Sequence, residues 1–396
     1  MPTKHTNPQS PLRPSAAGAG RPASAHSHKS DTRAAAADLV AQFDRQLQGA
    51  SATAIVAFWS PAHDGPQLIA ALRERYPSAQ VLGCTTAGEF NERDGSVGGI
   101  SAIALPAGTV RAAHAELAPF ERGIEKGVRL AAEKLAVLVG ADLKSLDPAR
   151  YVGLVLFDGL NMSEEAANEA LGDVAPQLVF VGGSAGDDLA FKETRVFLNG
   201  KSTTNGAALL LLDMAVPFTI AKTCSFAPTA YKFTITRADE RKRVVYELDG
   251  RPALEVYAKA AGTTPDKLDG TVFMANPVGM MLDGDPWIRS PQMATPDGGL
   301  KFYCGITEGS EVHLMRGTDL VGETKQAMVR AAKEVGGRAS GAIAFNCILR
   351  RLEMDATKAH EGFRDAFAGV AAAGFHTYGE TYIGHINQTC TALVFA

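Results

Sequence analysis

Residues 81–89, VLGCTTAGE, and residues 178–187, LVFVGGSAGD, carry one pattern twice. Each is a short apolar run of strand type that breaks into small residues and closes on Ala-Gly-acid. Upstream of them, 54–58 and 153–157 read as buried strands. Between strand and loop, 67–76 and 164–171 have helical spacing, stopped by Pro77 and Pro176. Phe58 and Phe157 are 99 residues apart, and so are Pro77 and Pro176, and Gly83 and Gly182. Three landmarks at one offset make the N-terminal half an internal duplication of a strand–helix–strand–loop–strand–strand unit, in repeats of about 54–117 and 153–224. The strand pairs closing the repeats, 99–105 with 110–117 and 207–212 with 218–224, read as antiparallel hairpins. Helices are expected at 35–47 and 124–139.

The rest of the chain is α/β as well. Alternating strands at 300–306 and 311–316 precede an amphipathic helix at 319–335 with an Asp cap. A buried strand at 341–349, a helix at 361–372 and an apolar strand at 390–396 follow. The charge-rich 237–243 reads as a solvated connector. The expected architecture is α/β, two halves with mixed or antiparallel sheets, divided into 35–243 and 244–396 behind a disordered tail at 1–34.

Composition narrows the function classes. At 396 residues, with 46% apolar and 21% charged, this is an ordinary globular chain of two to three domains. Residues 1–33 are rich in Pro, Ser, Ala and Gly and carry +4, which leaves −8 on the body. An acidic body argues against nucleic acid. No apolar run is long enough to cross a membrane, and no secretory h-region follows the start. Five cysteines stand far apart at 84, 224, 304, 347 and 390, as expected of free thiols in a reducing cytoplasm. Without CxxCH, covalent c-type haem is excluded. His26 and His28 sit in the expected tail, where a solvated segment is the simpler reading than a metal site.

Chemistry concentrates at 374–396, GFHTYGETYIGHINQTCTALVFA. Its polar residues precede a buried strand, so they need partners, since an unpaired buried polar group costs about 1–3 kcal/mol. A ligand supplies those partners, or the chain itself does. His376 and His385 lie nine residues apart with glycines between, and His313 sits in a strand. Ser184 stands in a formal G-x-S-x-G. That motif needs a helix directly after the serine, and the segment here leads into a strand instead.

Three motifs in order carry a family resemblance. They are Phe345-Asn346-Cys347-Ile348-Leu349-Arg350, Thr377-Tyr378-Gly379-Glu380 and His385-Ile386-Asn387-Gln388-Thr389. With the small-residue loops they resemble FIST-domain proteins, FIST N plus FIST C, over roughly 40–396. These are bacterial intracellular signal-transduction sensors rather than enzymes. Ile386, between His and Asn, is similar to the haem-binding, nitric-oxide-sensing branch. That resemblance implies haem b on His385, with His376 and His313 as rivals, Arg350 meeting a propionate, and Phe375, Tyr378 and Tyr382 walling the pocket. It also implies regulation of a separate histidine kinase or cyclic-di-GMP enzyme, and allows a homo-oligomer. The alternative is an amino acid or similar small polar ligand, without haem, among Tyr378, Glu380, Asn387, Gln388, Thr389 and Arg350. A serine hydrolase using Ser184 is the third reading.

Overall fold

The structure, a computed structural model, describes residues 20–396. The duplicated unit is there, and it is longer than the sequence repeat. It opens with β1 (Ala23–Ser27) and α1 (Thr32–Leu47) and continues through β2 (Ala52–Trp59), α2 (Gly65–Arg75) and β3 (Gln80–Thr85). A hairpin of β4 (Glu89–Phe90) and β5 (Gly95–Ser96) projects before the return strand β6 (Ile100–Pro106). The second copy repeats every step: β7 (Val110–Pro119), α3 (Ile124–Val139), β8 (Tyr151–Phe157), α4 (Glu164–Val174) and β9 (Phe180–Ser184). Its hairpin is β10 (Val196–Leu198) with β11 (Lys201–Thr203), and its return strand is β12 (Gly206–Met214).

A third copy begins at β13 (Phe218–Cys224) and is interrupted at once by an insertion with its own eight-stranded sheet. The insertion contains β14 (Phe226–Asp239), β15 (Val244–Leu248), β16 (Arg251–Pro252), α5 (Ala253–Ala260) and α6 (Gly270–Ala275). It ends with β17 (Val278–Leu282), β18 (Asp285–Arg289), β19 (Pro291–Ala294), β20 (Leu300–Phe302) and β21 (Glu311–Gly317). The third unit then resumes as α7 (Leu320–Glu334), β22 (Gly341–Cys347), α8 (Ile348–Thr357), α9 (His360–Arg364) and β23 (Ala371–Thr377). A hairpin of β24 (Glu380–Tyr382) and β25 (His385–Ile386) and the return strand β26 (Thr389–Phe395) complete it.

Pairing shows that the three units are one design. The middle strand is parallel to the next strand and antiparallel to the return strand in each: β2 with β3 and β6, β8 with β9 and β12, β22 with β23 and β26. The opening strand lies outside the return strand: β1 on β6, β7 on β12, β13 on β26. Each hairpin leaves its own sheet and joins the parallel strand of a neighbour. β10 pairs with β3, β24 with β9 and β4 with β23, which closes the units into a ring.

Apolar inner faces meet at the centre of the ring. Phe58, Phe345 and Phe375 stack there with ring centroids 4.6 to 6.0 Å apart, among Leu82, Leu156, Val181 and Leu393. Helices cover the outer faces, so the central strands are buried on both sides and read as unbroken apolar runs. Asp31, Asp64 and Asp319 start α1, α2 and α7 by accepting the backbone N–H three residues on.

Four expectations change. Residues 1–19 of the expected tail lie outside the described residues, but 23–27 form a buried strand and Asp31 caps α1. Ala and Ser give β1 no strand signature; its burial comes from pairing along β6. The two expected hairpins do not form, because β6 and β7, like β12 and β13, end one sheet and begin the next. Register pairs Ala57 with Gly83 but Leu156 with Gly183, so Gly183, not Gly182, is the counterpart of Gly83. The charged connector is the tip of the β14–β15 hairpin, and Arg243 within it is buried. The expected boundary at 243/244 falls in that tip, and the third sheet takes strands from either side of it.

Candidate functional site

The loops after the three parallel strands meet at one end of the ring. They share a motif: Thr86-Ala87-Gly88-Glu89, Ser184-Ala185-Gly186-Asp187 and Thr377-Tyr378-Gly379-Glu380. Backbone hydrogen bonds link them in a cycle. Gly186 N donates to Thr85 O at 3.0 Å, Ala87 N to His376 O at 3.3 Å, and Ser184 N to Gly379 O at 2.9 Å. Small residues are needed because the backbones touch: a Cβ on Gly186 would lie 2.7 Å from Ala87 N. The third copy of the motif is legible in the sequence once the loops are compared as Ser/Thr-x-Gly-acid.

The three acids are buried and differently served. Burial pushes Glu89 and Glu380 up to about 8, which keeps both neutral at pH 7. Glu89 accepts from Thr86 Oγ1, Ser96 Oγ and Gly99 N. Asp187 accepts three backbone N–H groups, of Phe191, Lys192 and Glu193, and the Tyr378 hydroxyl at 2.6 Å. Glu380 Oε2 accepts from Thr389 N at 3.0 Å and Thr389 Oγ1 at 2.7 Å, while its Oε1 has no hydrogen-bond partner among the described residues.

The polar residues singled out in sequence do not surround one space. Arg350 is fully buried and donates to Asn346 Oδ1, Ser225 Oγ and Thr324 Oγ1 at 2.8 to 3.0 Å. Asn346 in turn meets His376 Nδ1 at 3.0 Å. Gln388 accepts from Ser290 Oγ and donates to Met274 O. Asn387 donates to the adjacent Ile386 O and leaves Oδ1 unpartnered among the described residues. The chain thus supplies most of the partners itself. Ser184 is buried at the end of β9, donates to Glu164 Oε1 at 2.9 Å and runs into a loop, not a helix.

His385 belongs to a buried charge cluster. Its Nδ1 is 3.1 Å from Glu165 Oε1 and 4.0 Å from Glu164 Oε2. Arg243 Nη2 holds both carboxylates, at 2.9 Å for Glu164 and 2.5 Å for Glu165, so the inserted sheet, α4 and β25 are tied at one point. Burial works against ionising Glu165, but His385 and Arg243 hold it well below the usual range. His385 Nε2 has no partner among the described residues, yet it rests on the Gly379 backbone, where even a Cβ would collide with it. A haem macrocycle does not fit against that atom as the side chains stand. His313 is half-buried on β21 opposite Lys232, remote in the pairing from β25. His376 edges a cavity of about 210 Å³, smaller than the roughly 300–1,000 Å³ usual for cofactor sites.

A larger cavity of about 500 Å³ lies along β13, between α7, β18 and Tyr382 of β24. Residues 323, 327, 330, 331 and 334 of α7 face it at helical spacing. It carries both signs of charge: Lys222 and Arg330 against Asp285, Glu323 and Glu334. Burial lowers the Lys222 pKa. Its ammonium donates to Pro286 O at 3.2 Å and sits 4.6 Å over the Trp287 ring.

Family models match in sequence order, the FIST N domain over residues 53–251 and the FIST C domain over 253–382. The chain belongs to the FIST family. Its curated relatives include the uncharacterized protein MJ1623 of Methanocaldococcus jannaschii, 24% identical over 370 residues, which is 83% of this chain and 70% of that protein. The uncharacterized protein Mb0898c of Mycobacterium bovis is 26% identical over 248 residues, 59% of this chain and 63% of that one. A Mycobacterium tuberculosis protein, MT0897, matches to the same extent.

FIST domains are associated with small-ligand sensing in signal transduction. The FIST N segment supplies the first unit from β2 onward, the whole second unit, β13 and the β14–β15 hairpin. FIST C supplies most of the insertion and the third unit through β24. The 500 Å³ cavity lies where they meet, with Lys222 from FIST N and Arg330 and Tyr382 from FIST C. Sequence reading missed Lys222, Arg330 and Arg243, because a lysine in a strand, an arginine on a helix and an arginine in a charged turn all look like surface residues. Among the described residues no helix is long and apolar enough to cross a membrane.

Proposed function

We propose that this FIST chain senses a small zwitterionic ligand of amino-acid type, seated in the 500 Å³ cavity along β13. The observation that carries this reading is the lining: two cations and three carboxylates from three different elements face one partly enclosed space. A ligand carboxylate suits Lys222 and Arg330, and a ligand ammonium suits Glu323 or Asp285. The cavity also spans the seam between the inserted sheet and the ring, so an occupant adds contacts across it. A change at that seam is the signal offered to a separate histidine kinase or cyclic-di-GMP enzyme.

Haem-based nitric oxide sensing is the second reading. What favours it is His385: Nδ1 is held by the Glu165 carboxylate and Nε2 is unpartnered among the described residues, the way a metal-binding histidine is oriented by a carboxylate on its other ring nitrogen. It requires Gly379 and its loop to move away.

Two measurements on the purified chain separate these. Thermal unfolding with a panel of amino acids is expected to show a concentration-dependent rise in Tm that Lys222→Met abolishes. An absorption spectrum with a Soret band that His385→Ala removes, and no amino-acid effect, would reverse the order of the readings.

A further inference from the structure

The 210 Å³ cavity lies apart from both sites, between the β4–β5 hairpin of the first unit and α8, α9 and β23 of the third. Two guanidiniums flank it. Arg351 donates from Nη1 to Ala87 O at 2.9 Å, and its Nε stands 3.5 Å from Asp355 Oδ2. Arg364 is half-buried and has no carboxylate within 4.0 Å among the described residues. Its Nη1 rests beside Gly95, where a Cβ would lie 3.5 Å away. The acids nearby are occupied. Asp355 takes the His360 Nε2 contact at 2.7 Å, and both oxygens of Glu89 accept hydrogen bonds from the hairpin and its loop.

A half-buried guanidinium without a counter-charge keeps N–H donors free to pair with an anion. An anion inside the cavity supplies the missing partner. Paired N–H bonds match a carboxylate in particular. Phe90 and Phe363, with ring centroids 5.1 Å apart, form an apolar wall that suits a short carbon chain better than a fully hydrated inorganic ion. The volume equals that of roughly seven waters at about 30 Å³ each, enough for a small metabolite but not for a nucleotide.

We propose that this cavity is a second ligand site, which binds a small organic carboxylate between Arg351 and Arg364. Bound there, the carboxylate bridges the first and third units beside the loop carrying Glu89. The site is independent of the reading given for the larger cavity.

The test is thermal unfolding of the full chain in succinate or acetate, against sodium chloride at equal ionic strength. The carboxylates are expected to raise Tm, Arg364→Met to remove the shift, and Lys222→Met, in the larger cavity, to keep it. Arg364→Lys retains the charge but loses the paired geometry. It is expected to weaken succinate binding by about tenfold in calorimetry, and it serves where Arg364→Met fails to fold. No shift in the wild type, a shift that survives Arg364→Met, or an unchanged succinate affinity in Arg364→Lys overturns the proposal. So does stabilisation by inorganic phosphate where succinate and acetate give none.

Discussion

Glu380 has Thr389 on one oxygen and no hydrogen-bond partner among the described residues on the other, in a fully buried position. Burial raises its carboxyl from 4.5 to about 8, so the folded protein holds a proton that the unfolded chain releases. The sign follows: the contribution to stability is full below about 4.5 and is lost as pH rises through about 8. Glu89 has the same shift and adds to the trend. Glu380→Gln keeps an acceptor for Thr389 and places an amide N–H₂ at the unpartnered side. Urea unfolding at several pH values between 7 and 8, above the range in which the lowered pKa values of His26, His63, His114 and His376 act with the opposite sign, is expected to show stability falling with pH in the wild type. The slope should be shallower in the variant by up to about 1.4 kcal/mol per pH unit, one proton's worth. Equal slopes would mean that Glu380 is ionised in the folded state.

At the scale of elements, β1 carries the clearest prediction. Its five residues are all buried, and they pair with β6 from Ala23↔Ala104 to Ser27↔Ile100. In the other two units the equivalent edge strands are the longer β7 and β13. A chain beginning at Thr32 loses this strand and the Asp31 cap on α1, and leaves the β6 edge unpaired. The expected loss is about 2–4 kcal/mol, from small buried side chains and ladder hydrogen bonds. A denaturant midpoint equal to that of the full chain would show β1 to be energetically idle. β1 also illustrates what a sequence hides. ASAHS has no β-branched or aromatic residue, and an edge strand buried by its neighbour needs none. The paired loops and apolar runs were legible because both faces of the central strands are covered, which leaves a signal in every residue.

For the whole molecule, stability rests on the centre of the ring. Phe345 touches Phe58 and Phe375, so three side chains from two units share one contact. Phe345→Ala is expected to cost about 3–5 kcal/mol, in a single cooperative transition, because no single unit can close over the void. Loss of one transition among several, with the others unmoved, would show the units melting separately.

The sequence alone determined the α/β class, the family, the duplicated unit and the polar motifs, because burial on two faces and backbone contact restrict residue type locally. Tertiary structure decided the rest. Whether 23–27 is a strand, whether β6 turns back on itself or hands over to β7, and where Gln388 or Arg350 finds a partner all depend on residues far away in sequence. The same holds for the cavities. Lys222 and Arg330 become neighbours only when α7 packs back on β13 across the insertion, and Arg351 and Arg364 meet Glu89 only when the third unit closes on the first, since a charge records its own solvation but not the space it faces.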